Sequence, residues 1–393
     1  MGIDDSVGDR SNAAVDLNRT ASLKKKNAPR FDTRNMQEQA RKGSWRLLLE
    51  NVKEARKIAA VFSPEERIIH TTYHILALAK LGNYTSAAEE LAALGDLQNA
   101  SFFYEDHPDV YPGISGSMVP FSLRWLHAAI PYRIGQASTS MERMYSLLDY
   151  CSQKEEKALA ADGKSEEIDE IFSSFRLDGG VLDEEQRSNA LARRWKRRKE
   201  IVNFAIINLH LGQKDYIVAL RFVNETLARD PENVELWSKF AHVQLQLGDV
   251  DGAKLSFAKV EALVDERAKG GEVDSSLLCL VGRNKGLVAF VEKQYAAAVK
   301  AYNAVLEISP GDALAANNKA LCLMYSRDLI RATQVLEDVL QKHTEAALNE
   351  TLVLNLCSMY ELAAINSNES KRKLSSWILQ VAPDDFDLTC TRL

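Results

Sequence analysis

Small and bulky apolar positions recur along the middle of the chain with a period longer than any single helix or strand produces. Ala219, Ala253, Ala298 and Ala332 stand at successive separations of 34, 45 and 34 residues. Three residues before each lie Tyr216, Val250, Tyr295 and Leu329, and four after each lie Val223, Phe257, Tyr302 and Leu336. Twelve residues before each lie Ile207, Ala241, Gly286 and Ala320, while Pro231 and Pro310 close the first and third units. Within a unit these positions fall at helical spacings, so each unit is predicted to be two amphipathic helices joined by a turn.

Small residues at positions 8 and 20, bulky apolar residues at 17 and 24 and proline near 32 make up the tetratricopeptide register. The separation of 45 is 34 plus an eleven-residue insertion around Gly270 and Gly271. The predicted fold class is all-α: a right-handed α-solenoid of tetratricopeptide-type helix-turn-helix repeats. Each helix pair has too little core to stand alone. Small residues let paired helices approach, and bulky ones fill the gap to the next pair.

Outside the array the pattern weakens. Residues 1–30 are polar, carry the run Lys24-Lys25-Lys26 and show no periodicity, so they are expected to be a disordered tail. Residues 31–151 are expected to hold degenerate repeats. Ser63-Pro64-Glu65-Glu66 begins one helix with a capping box and proline at its first position. Leu81-Gly82-Asn83 ends it, and Tyr84, Ala87, Leu91 and Leu94 complete a full repeat. Between repeats lies an irregular stretch, 96–119, rich in aromatic, proline and glycine residues. Its Tyr111-Pro112-Gly113 suits a type II turn. A loop of that length in a compact protein is usually functional or disordered, and so many large rings argue against disorder. Residues 152–182 form an acidic insertion. The array resumes over 183–381 and ends in a helix pair. There Lys371, Arg372 and Lys373 are expected on the solvated face that a terminal repeat requires. Residues 382–393 form a short tail.

Composition narrows the function more than the fold. The 393 residues are 46% hydrophobic and 26% charged, as in an ordinary globular protein. A net charge of -6 argues against dominant nucleic-acid binding, which shows as a strongly basic face. The five cysteines are scattered and form no CxxC pair, which points away from disulfide and zinc frameworks and toward a reducing compartment. No apolar run approaches the ~20 residues of a membrane span, and the N-terminus has no signal-peptide core. A cytoplasmic protein without direct membrane insertion is expected.

Candidate chemistry is sparse. His70 and His74 have a metal-capable i, i+4 spacing, but residue 71 is threonine where a zinc hydrolase needs glutamate. No phosphate-binding glycine motif is present, and neither catalysis nor a cofactor is expected. The run Arg193-Arg194-Trp195-Lys196-Arg197-Arg198-Lys199 is a nuclear-import or anionic-lipid candidate, weighed against a solvated helix face with Trp195 turned inward. Positions 5 and 9 of the first helices read Phe204 and Asn208, Ser238 and His242, Arg283 and Leu287, Asn317 and Leu321. Chaperone adaptors carry lysine, asparagine and arginine there to clamp a carboxylate. Only Asn208 and Arg283 echo that set, so a peptide-binding co-chaperone is the weaker alternative.

The irregular loop and the segment just after it carry a more specific resemblance. Tyr111-Pro112-Gly113, then Gly116-Ser117-Met118-Val119-Pro120-Phe121-Ser122-Leu123-Arg124 and Leu126-His127-Ala128 resemble the signature of the trafficking protein particle (TRAPP) complex subunit 12 family. Gly43-Ser44-Trp45, Lys214-Asp215-Tyr216, Asn317-Asn318, Leu354-Asn355-Leu356, Met359-Tyr360-Glu361-Leu362 and Asp385-Phe386 to Cys390 agree with it, over about residues 40–393. The chain departs in its short N-terminal tail, where animal members carry a long polar extension, and in its acidic insertion. The resemblance implies a non-catalytic scaffold subunit of a multisubunit vesicle tether. That tether is a Rab guanine-nucleotide exchange factor in ER-to-Golgi transport and, in one form, in autophagy. It implies other subunits as partners, Rab-type GTPases and vesicle membranes as indirect ones, and peripheral association with Golgi or ER–Golgi membranes. Partner-binding candidates are Tyr111, Pro112, Gly113, Met118, Phe121 and Arg124 in and after the loop. Asn208, His242, Arg283 and Asn317 are those on the first helices.

Overall fold

A computed structural model describes residues 32–160, 184–271, 274–363 and 367–392. The expected disordered tail 1–30 with its lysine run, and residues 161–182 of the acidic insertion, lie outside the described residues. The fold is all-α and of the tetratricopeptide type, with no strand among the described residues. Helices come in antiparallel pairs: α1 (Thr33–Arg41) with α2 (Trp45–Lys57), α3 (Pro64–Lys80) with α4 (Tyr84–Leu94), and α5 (Phe121–Arg133) with α6 (Ala137–Ala160). Next come α7 (Glu184–Gly212) with α8 (Tyr216–Arg229), α9 (Val234–Gln246) with α10 (Val250–Lys269), and α11 (Ser275–Val291) with α12 (Tyr295–Ile308). The last are α13 (Ala313–Tyr325) with α14 (Leu329–Lys342), and α15 (Glu350–Ala363) with α16 (Asn368–Val381).

The turn inside a pair is the same from α1–α2 to α13–α14. One residue takes positive φ: Gly43, Gly82, Gly135, Lys214, Gly248, Lys293 and Arg327 in order. The next amide then reaches back to a carbonyl of the first helix, as Asn83 N to Leu78 O and Gln294 N to Ala289 O. This is the Schellman closure of a helix end. Three of these positions are not glycine, and an L side chain in that region costs about 1–2 kcal/mol. Lys293 is exposed at φ 61°. Lys293→Gly is therefore expected to raise stability by about 0.5 kcal/mol, after the larger unfolded-state entropy of glycine is subtracted. Urea unfolding checks this, and a lowered midpoint at unchanged slope is the contrary result.

The chain divides into two compact units. Unit 1 holds Met1–Ile206 together with Pro383–Asp385, and unit 2 holds Ile207–Ala382 with Phe386–Leu393. The division falls inside α7 and not at the acidic stretch. The first half of α7 is bound to unit 1 by Trp195, which is 4% exposed and packs edge-on against Phe121 and Tyr150. The pair α5–α6 also runs past residue 151, where the acidic stretch was expected to break the array. Met144, Leu147, Cys151 and Ala158 keep one buried stripe, so α6 continues to Ala160.

In unit 1 one core joins Ile75, Leu91, Tyr104, Met118, Leu123 and Ile130. A second gathers Met36, Trp45, Leu48, Val52 and Tyr73. The capping box expected at Ser63 is present: its hydroxyl accepts from Glu66 N (3.3 Å) and its amide donates to the Glu66 carboxylate (2.8 Å). The Pro383–Asp385 segment is part of this unit. Asp384 N donates to Gly43 O (3.1 Å), and the Asp384 carboxylate accepts from Arg46 N (2.9 Å) in the first turn of α2. Ser44, the N-cap residue of α2, makes no side-chain cap bond, so Asp384 supplies the missing acceptor from a distant part of the chain. Lys80 reaches Asp385 (2.9 Å) and lies over the Trp45 ring.

In the pairs α9–α10, α11–α12 and α13–α14 of unit 2, position 8 faces position 24, and their sizes compensate. Ala241 meets Phe257 and Ala320 shares a core with Leu336. Gly286 lies so close to Tyr302 that a Cβ added to it would stand 2.6 Å from the ring. Ala219, Ala253, Ala298 and Ala332 at position 20 are all fully buried. The eleven-residue insertion becomes mostly helix. α10 has 20 residues against 14 in α8 and α12, and its Val260, Leu263 and Val264 are buried against Trp237, Leu277, Leu280 and Val281. The terminal pair corrects one expectation. Arg372 and Lys373 are exposed, but Lys371 is 4% exposed, paired with Glu361 and donating to Arg392 O (3.4 Å). The 3-10 turn Leu388–Thr391 and Arg392 beyond it cover that ammonium.

Candidate partner-binding surfaces

The irregular stretch of unit 1 is pinned at several points. Tyr104 N donates to Gly116 O (3.0 Å) and Met118 N to Phe102 O (2.8 Å), forming an isolated antiparallel bridge between Phe103 and Ser117. Gly116 N donates to the Glu105 carboxylate (2.9 Å). Tyr104 is buried and meets Tyr111 edge to face at 5.0 Å. The Tyr111 hydroxyl in turn accepts from Glu65 N (3.3 Å) at the start of α3. The rings thus act as anchors, and the backbone between them is presented outward. Pro108, Asp109, Val110, Pro112 and Gly113 are exposed, with Val110 at 52%. Of the candidates in and after the loop, Pro112 and Gly113 form this tip and Tyr111 is its half-buried root. Met118 lies in the core at 5% exposure. Phe121 is half-buried and packs on Trp195 (6.4 Å) with Arg198 over its ring.

Arg124 leads to a second feature. It is 7% exposed, donates to Ser117 Oγ (2.9 Å) and lies 4.3 Å from the centre of the Tyr150 ring. With His127, Arg143, Leu147, Tyr150, Ser146 and Asp96-Leu97-Gln98 it lines an open pocket of about 240 Å³. Arg143 donates to His127 O (2.9 Å). Burial pulls the His127 pKa down to about 4, with Arg143 and then Arg124 adding to the shift and Asp96 opposing it. His127 is therefore neutral near pH 7, and the arginines carry the positive charge. Sequence reasoning named Arg124 but missed Arg143 and Tyr150. The available signal was an arginine in a slot where the α5 pattern asks for an apolar side chain.

The four candidates on the first helices of unit 2 are all engaged. Lys239 donates to the Asn208 side chain (2.7 Å), joining α7 to α9. Ser238 and Asn284, both buried, exchange hydrogen bonds between α9 and α11 (3.2 and 3.0 Å). Arg283 pairs with Asp312 at the start of α13, and Asn355 on α15 donates to Asn317 (2.7 Å). His242 packs edge-on against Phe257 at 5.4 Å and is held below the usual histidine range by burial. These side chains form a ladder from one first helix to the next. The Arg283 charge that a carboxylate clamp would use is met by Asp312.

The remaining motifs resolve into packing. His70 meets Phe62 edge to face, and His74 accepts from the Arg56 guanidinium at Nδ1 (2.6 Å). No group of three metal-capable side chains occurs among the described residues. The basic run of α7 is split by helical periodicity. Trp195 and Arg198 point inward, Lys199 pairs with Glu155, and Arg193, Arg194, Lys196 and Arg197 are exposed.

No family model matches the chain. It is 30% identical over 318 residues to the Homo sapiens protein named trafficking protein particle complex subunit 12, a match covering 80% of this chain and 41% of that protein. The Mus musculus protein of the same name is also 30% identical over 318 residues, covering 80% of this chain and 38% of that one. The chain thus spans about two-fifths of the length of the curated relatives it matches. A solved tetratricopeptide repeat protein from Parabacteroides merdae covers 84% of this chain and 99% of its own, at 14% identity and a TM-score of 0.41.

Proposed function

We propose, on the premise that this chain is a tetratricopeptide-repeat relative of the trafficking protein particle complex subunit 12 family, that it is a non-catalytic scaffold subunit of a multisubunit vesicle tether. The observation that carries this reading is identity sustained over 318 residues. The assembled tether acts as a Rab guanine-nucleotide exchange factor in ER-to-Golgi transport and in autophagy. Exchange itself belongs to smaller subunits, and this chain packs against other large ones. It meets the GTPase and vesicle membranes through the complex, from the cytoplasmic side of Golgi or ER–Golgi membranes, and needs neither cofactor nor nucleic acid. Two features are in keeping with this. No described helix is long and apolar enough to cross a membrane. The first-helix side chains of unit 2 hydrogen-bond or ion-pair to one another, which leaves exposed tips and flanks for partners.

The exposed tip around Val110, Pro112 and Gly113 is the partner surface in this reading, rooted by Tyr111. Capture of the tagged full chain from cells, followed by mass spectrometry, is expected to recover other tether subunits. Val110→Asp, which leaves the anchoring rings in place, is expected to lower their recovery by about tenfold. Recovery of no tether subunit by a folded bait overturns the assignment.

A further inference from the structure

We propose that the edge of unit 2 formed by the α11–α12 and α13–α14 turns is a docking platform for an extended acidic segment of a partner protein. A proline of that segment lies on the ring of Tyr325, and its carboxylates pair with Lys293 and Arg327. The proposal rests on the scaffold reading above only in taking the occupant to be a protein. The first observation is backbone strain. Glycine takes the positive φ of the turn inside a pair at no steric cost, as Gly43, Gly82 and Gly135 do in unit 1 and Gly248 does in unit 2. Lys293 (φ 61°) and Arg327 (φ 64°) hold that position in consecutive turns, where an L side chain is disfavoured. Packing does not account for them. Both are exposed, and neither side chain has a partner among the described residues. The acids beside them are taken: Glu292 pairs with Lys254, and Asp328 pairs with Arg331 and accepts from its backbone amide (3.2 Å). Two cations on neighbouring turns therefore face solvent. Strain kept without a packing reason points to function.

The second observation is a ring stack at the same two turns. Tyr295 opens α12, just after Lys293, and Tyr325 closes α13, just before Arg327. The two rings are 12° from parallel with centroids 5.6 Å apart, and Phe290 is tilted against both at 5.9 and 5.8 Å. One face of Tyr325 is thereby covered, and the residue is still 56% exposed, so its other face is open. Neither tyrosine hydroxyl has a hydrogen-bond partner among the described residues. Proline suits such a surface. Its ring lies flat on a tyrosine face, and its polyproline backbone has no internal hydrogen bonds, so its carbonyls are open to the hydroxyls. That backbone is also preset and loses little entropy on docking. A cation on each flanking turn calls for acids on both sides of the proline. With a net charge of -6, the chain as a whole repels such a segment, so the attraction is local to these turns. An anionic lipid surface asks instead for a clustered basic face, which turns that each carry an acid do not form.

The test follows the tyrosine rings of the full chain by NMR, with Tyr325 identified by the signal lost in Tyr325→Leu. The probe is a blocked hexapeptide of two glutamates, two prolines and two glutamates. It is expected to shift the Tyr325 signal with a Kd on the order of 1 mM. Serine in place of proline, or glutamine in place of glutamate, is expected to weaken binding about fivefold or more. Lys293→Gly and Arg327→Gly are each expected to weaken it about threefold. Both substitutions relieve backbone strain, so melting at or above the parent temperature shows that lost binding is not lost folding. Lys214→Gly makes the same change at a turn away from the stack and is expected to leave binding unchanged. No response of Tyr325 up to about 10 mM peptide overturns the proposal. So does parent affinity in both glycine variants, or equal binding of the serine peptide. Equimolar phosphatidylcholine–phosphatidylserine vesicles are the lipid arm, and a Tyr325 response to them without one to the peptide overturns the protein assignment. No tether subunit takes part in this assay. Its failure leaves the scaffold reading standing, whereas a Tyr325 response beside a bait that captures no tether subunit supports the platform and overturns the scaffold reading.

Discussion

Gly43→Ala is expected to release Pro383–Asp385 from unit 1 and to lower the stability of the first helix pair by about 1–2 kcal/mol. Two effects meet at this residue. Its φ of +70° disfavours any side chain, and a Cβ built there would stand 2.5 Å from Pro383 Cβ. The two backbones are also joined here, since Gly43 O accepts from Asp384 N. The segment itself is held by modest forces. A helix cap is worth roughly 1 kcal/mol, and a half-exposed ion pair such as Lys80–Asp385 contributes about 0–1. Ordering residues opposes these by about 1–2 kcal/mol each. The segment is therefore expected to detach before the turn distorts, leaving Arg46 N without its acceptor. Gly82→Ala is the matched control. Gly82 has φ +77° in the equivalent turn, but its added Cβ meets nothing within 4 Å. Native-state hydrogen exchange separates the two, with faster exchange at Arg46 in the Gly43 variant alone. Asp384→Ala reproduces the loss of Arg46 protection, and Asp384→Asn, which keeps an oxygen acceptor, restores most of it. Equal effects of Gly43→Ala and Gly82→Ala, with Arg46 still protected, would show that Asp384 does not cap α2.

That contact marks where sequence reasoning reaches its limit. Everything repeated was legible. Ala253 and Phe257 sit on one helix face and Ala241 one turn-linked helix earlier, so their meeting follows from periodicity alone. Tyr111 was legible as a large ring in a non-helical stretch, but its acceptor role toward Glu65 N, 46 residues earlier, has no local signal. Arg283 is similar. Its position on the first helix was legible, whereas its neutralisation by Asp312 depends on how the next pair is set against it. Lys371 read as solvated because helix pattern alone does not reveal that a later turn covers it. Asp384 is the extreme case, an unremarkable acid in a tail, 338 residues from the amide it caps. The pocket between α5 and α6 was half legible. Arg124 was singled out with the signature stretch. Arg143 lies on the facing helix, where one arginine among polar neighbours looks like any exposed cation. Only the turn of α6 against α5 brings the two to one pocket.

Gly286→Ala sets two physical effects of opposite sign against each other. In an isolated helix alanine is favoured over glycine by about 0.5–1 kcal/mol. In α11 the added methyl group would stand 2.6 Å from Cε1 and Cζ of Tyr302. That ring is fully buried with Ala298, Val305, Ala315 and Cys322 in one cluster, and its hydroxyl accepts from Asn318 (3.4 Å). It has no solvent side to swing toward, so either α11 and α12 move apart or the ring leaves its rotamer. Overpacking of this kind costs about 1–3 kcal/mol. The packing effect wins, and a net loss of about 1–2 kcal/mol is expected, read as a lower urea midpoint at unchanged slope. A double-mutant cycle identifies the cause. With Tyr302→Leu the ring is gone, and Gly286→Ala is expected to become neutral or stabilising, a coupling of about 1–2 kcal/mol. The size relation between positions 8 and 24 then explains why the repeat pairs its smallest residue with its largest ring. A stabilising Gly286→Ala in the presence of Tyr302 would mean that the two helices do not meet at these positions. The tetratricopeptide register of unit 2 would then have to be redrawn.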